Sequence, residues 1–324
     1  MVSPKKRIAL IGECLIELNG TPFGALHQTF GGDSLNTALY LARLIGSMAD
    51  VRYVTAVGTD TLSDGMVQRW QSEGINTRFV LRYAARLPGL YLVQVDARGE
   101  RTFLYWRGDS AARYLMQHPA FNGVVSELAE EDLLYTSGIG LAILPPQDRA
   151  ELLDLLRRFG SLGMAIAFDS NFRAALWQSA DSAREAMAAL LPATKLMFAT
   201  FDDEQHLWGD ETAERSLARL HASGARTVVL KLGAGGCLYS NGASIIKVEA
   251  CPVTTVVDTT AAGDAFNAGF LAGWLQDYDP ESCCRAGNAL AAAVIQHRGA
   301  IIPAGATPSL PTLLERLGPR CGLL

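Results

Sequence analysis

Nowhere in these 324 residues is there a C-x-x-C pair, a G-x-x-x-x-G-K-[ST] segment, or a complete G-x-G-x-x-G after the first apolar run. The six cysteines are scattered, with Cys283 and Cys284 adjacent, so neither a zinc site nor a disulfide framework is indicated. A reducing cytoplasm is the expected location, which leaves the "NGT" sequon at Asn19 unused. Without the glycine motifs, P-loop and dinucleotide-binding chemistry are not expected; "GECLIE" lacks the glycines a dinucleotide needs. No apolar run reaches membrane-spanning length, so no membrane partner is expected. Positive charge is also scarce: 28 Lys and Arg stand against 33 Asp and Glu. The only basic cluster is "PKKR" at the start, and nucleic acid is not an expected partner. The opening twenty residues place a basic segment before an apolar one, but Glu13 and Glu17 interrupt it, and a first buried strand is the better reading than a secretory signal.

What is present is core material. Hydrophobic residues make up 49% of the chain and charged ones 19%, enough for one large unit spanning residues 1–324. Strand-like runs ("RIALIGE", "VRYVTAVG", "LLYTSG", "MAIAFDS", "KLMFAT", "TVVLKLG", "VVDT") alternate with helical patterns ("SLNTALYLARLI", "AELLDLLRRFG", "AERSLARLHASG", "DAFNAGFLAGWL"). Such alternation predicts an α/β fold, a mainly parallel sheet covered on both faces, with ligands outside the carboxyl ends of its strands. One segment differs: "GLYLVQVDARGERTFLYWRGDSAA" reads as a hairpin turning at "DARGE", with Phe103, Tyr105 and Arg107 on one face. It is either a lid over a site or a surface hairpin with an aromatic packing face. The tail after Pro303 reads as peripheral.

The chemistry centres on "VVDTTAAGDAFNAGF", which predicts strand, tight turn and helix, with Asp264 in the helix's first turn. Small residues at Ala261, Ala262 and Gly263 let an anion approach unpaired backbone N–H groups, and the helix dipole adds roughly half a positive charge there. Asp264 can then serve as a base that takes the proton of an attacking alcohol in phosphoryl transfer, or simply cap the helix, which on spacing alone is the commoner role.

"FGGDSLNTALYLARLI", "VVLKLGAGGCLY" and "DTTAAGDAFNAGF" resemble, in this order along the chain, signatures of the ribokinase-like, or PfkB, family of carbohydrate kinases. Ala261 stands where that family's pattern has glycine. The resemblance implies a three-layer α/β/α domain with a small β-strand lid at about 13–34 and 86–111, ATP and Mg²⁺ as cofactors, and a homodimer formed through the lid. It makes Asp264 the catalytic base. "IGECLIEL", "RLPGLYLVQVD", "GERTFLYWR", "FDSNFRAALW" and "RGAIIP" are similar to the branch acting on 2-keto-3-deoxy-D-gluconate, phosphorylated at its 6-hydroxyl. By that likeness Gly32, Asp33 and Asn36 bind the sugar, and Tyr91, Tyr105, Arg107 and Arg173 its keto-acid end. Lys231, Gly233, Gly236, Thr260 and Gly263 border the phosphates and Asn288 the adenine. Glu204 acts on Mg²⁺ through water, and Asp258 helps arrange the anion-hole loop with a monovalent cation. Asp202 and Asp203 read as surface acids.

The chemistry of the substrate is consistent with that branch, since a carboxylate favours guanidinium groups over the hydroxyl readers a neutral hexose needs. Arg107 and Arg173 lie on separate elements that can converge on one anion; the bland alternative pairs each with a nearby acid. Arg173 can instead face the transferred phosphoryl group. The rival functions are a fructokinase- or ribokinase-type enzyme, told apart by turnover on neutral sugars, and a non-catalytic sugar-acid sensor, told apart by absence of ADP release.

Overall fold

A computed structural model describes residues 5–21, 23–95 and 101–315. Its central sheet is built from β1 (Lys6–Ile11), β4 (Ala49–Gly58), β5 (Val80–Tyr83), β8 (Leu133–Ser137), β9 (Ala165–Asp169), β10 (Leu196–Thr200), β11 (Thr227–Lys231), β12 (Cys237–Ser240) and β13 (Ile245–Val248). The strand order is β13-β12-β11-β10-β9-β8-β1-β4-β5. Strands from β11 across to β5 run parallel; β12 and β13 turn back antiparallel at one edge. β8 and β9 are buried along their whole length, as continuous apolar runs in a two-sided parallel sheet should be.

Successive side chains of β1 feed opposite layers. Ile8 and Leu10 join one core, Ala9 and Ile11 the other. The first layer begins with α1 (Asp33–Ile45) and α2 (Thr61–Ser72). The second holds α3 (Phe121–Leu128), α4 (Gly138–Ala142), α5 (Pro146–Ser161), α6 (Ala180–Leu190), α7 (Phe201–Trp208) and α8 (Ala213–Ala222). The chain then returns to the first layer with α9 (Ala262–Leu275), α10 (Pro280–Val294) and α11 (Leu310–Glu315). α9 and α10 pack closely because Gly269 and Gly287 lack side chains: a Cβ on Gly269 would lie 2.6 Å from the Ala286 carbonyl, and one on Gly287 2.9 Å from Phe266.

A second, four-stranded sheet is made by β2 (Leu15–Gly20), β3 (Leu26–Gly31), β6 (Leu90–Val95) and β7 (Arg101–Trp106), in the order β3-β2-β6-β7. Its strands branch off the central sheet after β1 and after β5. The hairpin turn expected at 96–100 lies outside the described residues.

Two expectations are corrected. Val256–Thr259 is not a strand: both central valines are exposed, and the amides of Val257 and Asp258 donate to the Ile295 carbonyl at the end of α10 instead of to a sheet neighbour. The segment after Pro303 is not peripheral as far as it is described, since Leu310 and Leu313 are buried in the first core.

Candidate active site

The site is assembled where the carboxyl ends of the parallel strands meet the small sheet. α9 enters it through Ala261, whose left-handed φ of 60° turns the chain sharply into the helix. Gly263 and Asp264 occupy the first turn, where backbone N–H groups have no intrahelical acceptor. The Ala262 amide donates to the Thr259 carbonyl at 3.2 Å, so of the expected anion hole this N–H is already used within the turn.

A cleft of about 420 Å³ opens over this turn. Its walls bring together Gly32, Asp33, Asn36, Tyr91, Tyr105, Arg107 and Arg173 from four separate stretches of chain, with Thr260, Ala261, Ala262, Gly263 and Asp264 as its floor. Phe103 shares the face of Tyr105 and Arg107. Sequence reasoning did not single out Glu13, Asn171, Ile139 or Ala300, which also line it. The signal for Asn171 was its place two residues before Arg173 in "FDSNFR".

The polar side chains interlock. Asn36 donates to Asp264 Oδ2 at 2.8 Å, and the Thr37 hydroxyl donates to the Asp264 carbonyl at 3.3 Å. Asp33 accepts from the Ser34 amide and from Asn171 Nδ2, each at 2.8 Å. One turn along α9, Asn267 donates to Asp169 Oδ2 at 2.6 Å. Lys231 Nζ donates to the same oxygen at 3.0 Å and to Asn267 Oδ1 at 3.2 Å. The Asp264 carboxyl is pushed up to about 7, first by burial and then by the charge of Asp33; the Asn36 hydrogen bond and Lys231 work against this rise, and Asp169 adds to it. A carboxyl group that ionises near neutrality and faces a cleft is suited to exchanging a proton.

Both guanidinium groups already hold acids. Arg107 donates through Nε to Glu13 Oε2 at 2.8 Å and through Nη2 to the same oxygen. Arg173 Nη1 donates to both oxygens of Asp203, at 3.1 and 3.2 Å, and to the Phe172 carbonyl. Asp203 is therefore not the surface acid expected: it is half-buried on α7, and burial raises its carboxyl above the ordinary range while Arg173 pulls it back. Asp202 is exposed. The Tyr91 hydroxyl donates to Glu17, and burial together with that acid raises it well above the ordinary phenol range.

The remaining expected residues lie off the cleft. Lys231 is buried behind the floor, near enough that a Cβ on Gly263 would lie 3.4 Å from its Nζ. Gly233 and Gly236 shape the turn after β11, both at positive φ. Asn288 is buried and donates to the Glu249 carbonyl at 3.0 Å. Glu204, expected to act on a metal through water, is held by Arg219 at 2.6 Å, which answers the cost of burying its charge. Asp258, expected near a monovalent cation, accepts from the Thr260 amide at 3.0 Å and hydroxyl at 2.7 Å, and from the Gly299 amide at 2.7 Å. It thereby ties the floor loop to the "RGAIIP" segment.

Residues 5–306 match the pfkB family carbohydrate kinase profile. A 2-dehydro-3-deoxygluconokinase of Haemophilus influenzae is 50% identical over 300 residues, covering 92% of this chain and 96% of that protein. One from Dickeya dadantii is 46% identical over 309 residues, covering 94% and 99%. Among solved structures, a fructokinase with bound ATP from Xylella fastidiosa superposes with a TM-score of 0.82 at 24% identity, covering 96% of this chain and 98% of that one, a likeness of fold. With a cleft-facing carboxylate at a helix N-terminus, the α/β/α layers and these matches in agreement, the chain belongs to the pfkB family of carbohydrate kinases and is an ATP-dependent enzyme of that class.

Proposed function

We propose that the chain transfers the γ-phosphoryl group of ATP to the 6-hydroxyl of 2-dehydro-3-deoxy-D-gluconate, the 2-keto sugar acid, giving its 6-phosphate. The observation that carries this reading is a single cleft in which the Asp264 carboxyl faces the same space as Arg107 and Arg173. The names of the relatives, matched over more than nine-tenths of the chain, support the sugar acid over a neutral sugar.

In this reading Asp264 takes the proton of the attacking hydroxyl. Asn36 pins Oδ2 of this cleft-lining carboxyl group. Asp33 and Asn171, locked to each other, read the sugar hydroxyls, while Arg107, Arg173 and Tyr105 meet the keto-acid end. The donor set fits a phosphoryl group: the first-turn amides at Gly263 and Asp264, the positive end of α9, and Lys231 behind them. Thr260, Gly233 and Gly236 extend this wall toward the nucleotide, with Asn288 behind them. When bound, MgATP supplies the phosphoryl group and the divalent charge that offsets its oxygens. Among the described residues no group of three or more His, Cys, Asp or Glu is placed to hold a metal ion. A monovalent cation beside the Asp258 loop would stiffen the same floor.

The small sheet acts as the lid. β3 and β7 are its edges, and Phe103, Leu104, Tyr105 and Trp106 on β7 are exposed, so pairing with a second copy would cover them. No helix among the described residues is long and apolar enough to cross a membrane. A reducing, cytoplasmic setting suits the buried thiols of Cys14, Cys237, Cys283 and Cys284. The test is to incubate the protein with ATP and 2-dehydro-3-deoxygluconate and locate the phosphate by NMR. Phosphate on the 6-oxygen is expected; transfer to another oxygen, or none, overturns the reading.

A further inference from the structure

The cleft poses an electrostatic problem for an anionic substrate. Asp33 and Asp264 face it, and each of its arginines already carries a carboxylate from elsewhere in the chain. Recognition of an acid therefore depends on which edge of each guanidinium is left toward the ligand. At Arg107 that edge is defined. Nε and Nη2 both point at Glu13, while among the described residues Nη1 has no protein acceptor.

We propose that Glu13 is a positioning residue: it clamps one edge of Arg107 and so presents the Nη1 edge to the substrate's carboxylate. The inference rests on the sugar-acid reading above and assigns a determinant of that specificity. Glu13 is 2% exposed and lies in the link from β1 to β2, where the chain leaves the central sheet for the small one. Arg107 follows β7, where the chain returns. The pair therefore joins the outgoing and returning connections. Ser110, just beyond, donates from its hydroxyl to the other oxygen of Glu13, fixing the carboxylate's plane. The Tyr105 ring lies 5.8 Å from the Arg107 guanidinium carbon on a further side.

The packing around the pair leaves no slack. Gly89, which opens β6, lies directly against it: a Cβ there would come within 2.4 Å of Leu15 and 3.0 Å of both Glu13 Oε1 and Arg107 Cβ. A buried carboxylate stripped of its guanidinium would be left uncompensated, so the pair persists as substrate enters rather than exchanging partners. Charge-assisted bonds to a planar fork hold orientation as well as charge, which a lysine could not reproduce.

The experiment measures steady-state kinetics on 2-dehydro-3-deoxygluconate for the wild type, Glu13→Ala, Glu13→Gln, Arg107→Ala and the Glu13→Ala/Arg107→Ala double variant. Glu13→Ala should raise KM for the sugar acid about tenfold to a hundredfold, the range that small misplacements of a binding group produce. Glu13→Gln, whose amide oxygen still accepts from Nε, should recover most of that loss. With Arg107 absent, the Glu13 substitution should add nothing further to KM. A merely structural Glu13 would lower the melting temperature and leave KM unchanged, or its effect would add to that of Arg107→Ala; either result overturns the inference. If wild-type protein does not turn over the acid at all, the underlying reading falls instead, so the two failures are distinguishable. Should Glu13→Ala not fold, Glu13→Gln alone decides: KM between wild type and Arg107→Ala supports the role, and KM equal to or above that of Arg107→Ala refutes it.

Discussion

Replacing Asp264 by Asn should abolish turnover and stabilise the protein at the same time. Asn is nearly isosteric and can still accept from Asn36, so the cleft keeps its shape. Loss of a general base removes on the order of 10² to 10⁴ in kcat. KM for the sugar acid should stay within a few-fold, because other groups hold the ligand. The stability effect follows from the raised carboxyl. Its ordinary value is 3.8 and the fold pushes it up to about 7, a rise equivalent to about 4 kcal/mol against the ionised form. The nearby charges of Asp33 and Asp169 contribute to the rise, so the figure is an upper bound shared by coupled carboxylates. Between those two values the folded state binds more protons than the unfolded chain, so stability falls as pH climbs through the window, and the full cost is carried above about pH 7. Asp264→Asn removes that cost. Its thermal midpoint at pH 8 should exceed wild type by on the order of 2–5 °C, with a smaller gain at pH 5. ADP-release kinetics and thermal melts at the two pH values read both effects. Turnover within about threefold of wild type, or a lower midpoint at pH 8, would refute the reasoning.

Ala261 sits at φ 60°, where a side chain costs about 1–2 kcal/mol, partly offset by the unfolded-state entropy that glycine adds. Ala261→Gly should therefore be neutral to stabilising by up to about 1 kcal/mol in denaturant melts, and a clear loss of stability would contradict the strain. Lys231→Met leaves the buried Asp169 without its cation and should cost about 3–5 kcal/mol by the same measurement. Arg107→Ala should raise KM for the sugar acid while leaving any residual activity on fructose unaltered, as seen in parallel initial-rate assays.

The periodic segments were legible because their signal is local. Asp33–Ile45 and Ala262–Leu275 carry helical spacing in the sequence, and the strands of the parallel sheet are continuous apolar runs. "VVDT" misled because its β-branched residues look like a strand, yet strand formation needs a partner, and these amides bond to the end of α10. The edge strands at Cys237–Ser240 and Ile245–Val248 leave no clear mark in the sequence, since short, partly exposed strands carry little pattern. At the site, the floor and the two arginines could be picked out from their motifs. Their acid partners could not: Glu13 is 94 positions from Arg107 and Asp203 is 30 from Arg173, and no local spacing announces such pairs. The Arg219 partner of Glu204 is likewise invisible to local spacing, because it lies on the next helix.

This cleft is built to select a sugar acid for phosphorylation. The direct measurement is kcat/KM at fixed ATP and Mg²⁺ for 2-dehydro-3-deoxygluconate, fructose and ribose, with the wild-type protein. The account predicts a preference for the acid of at least about a hundredfold, the scale expected when a site built for a charged group meets a substrate lacking it. Equal or greater efficiency on either neutral sugar would contradict it.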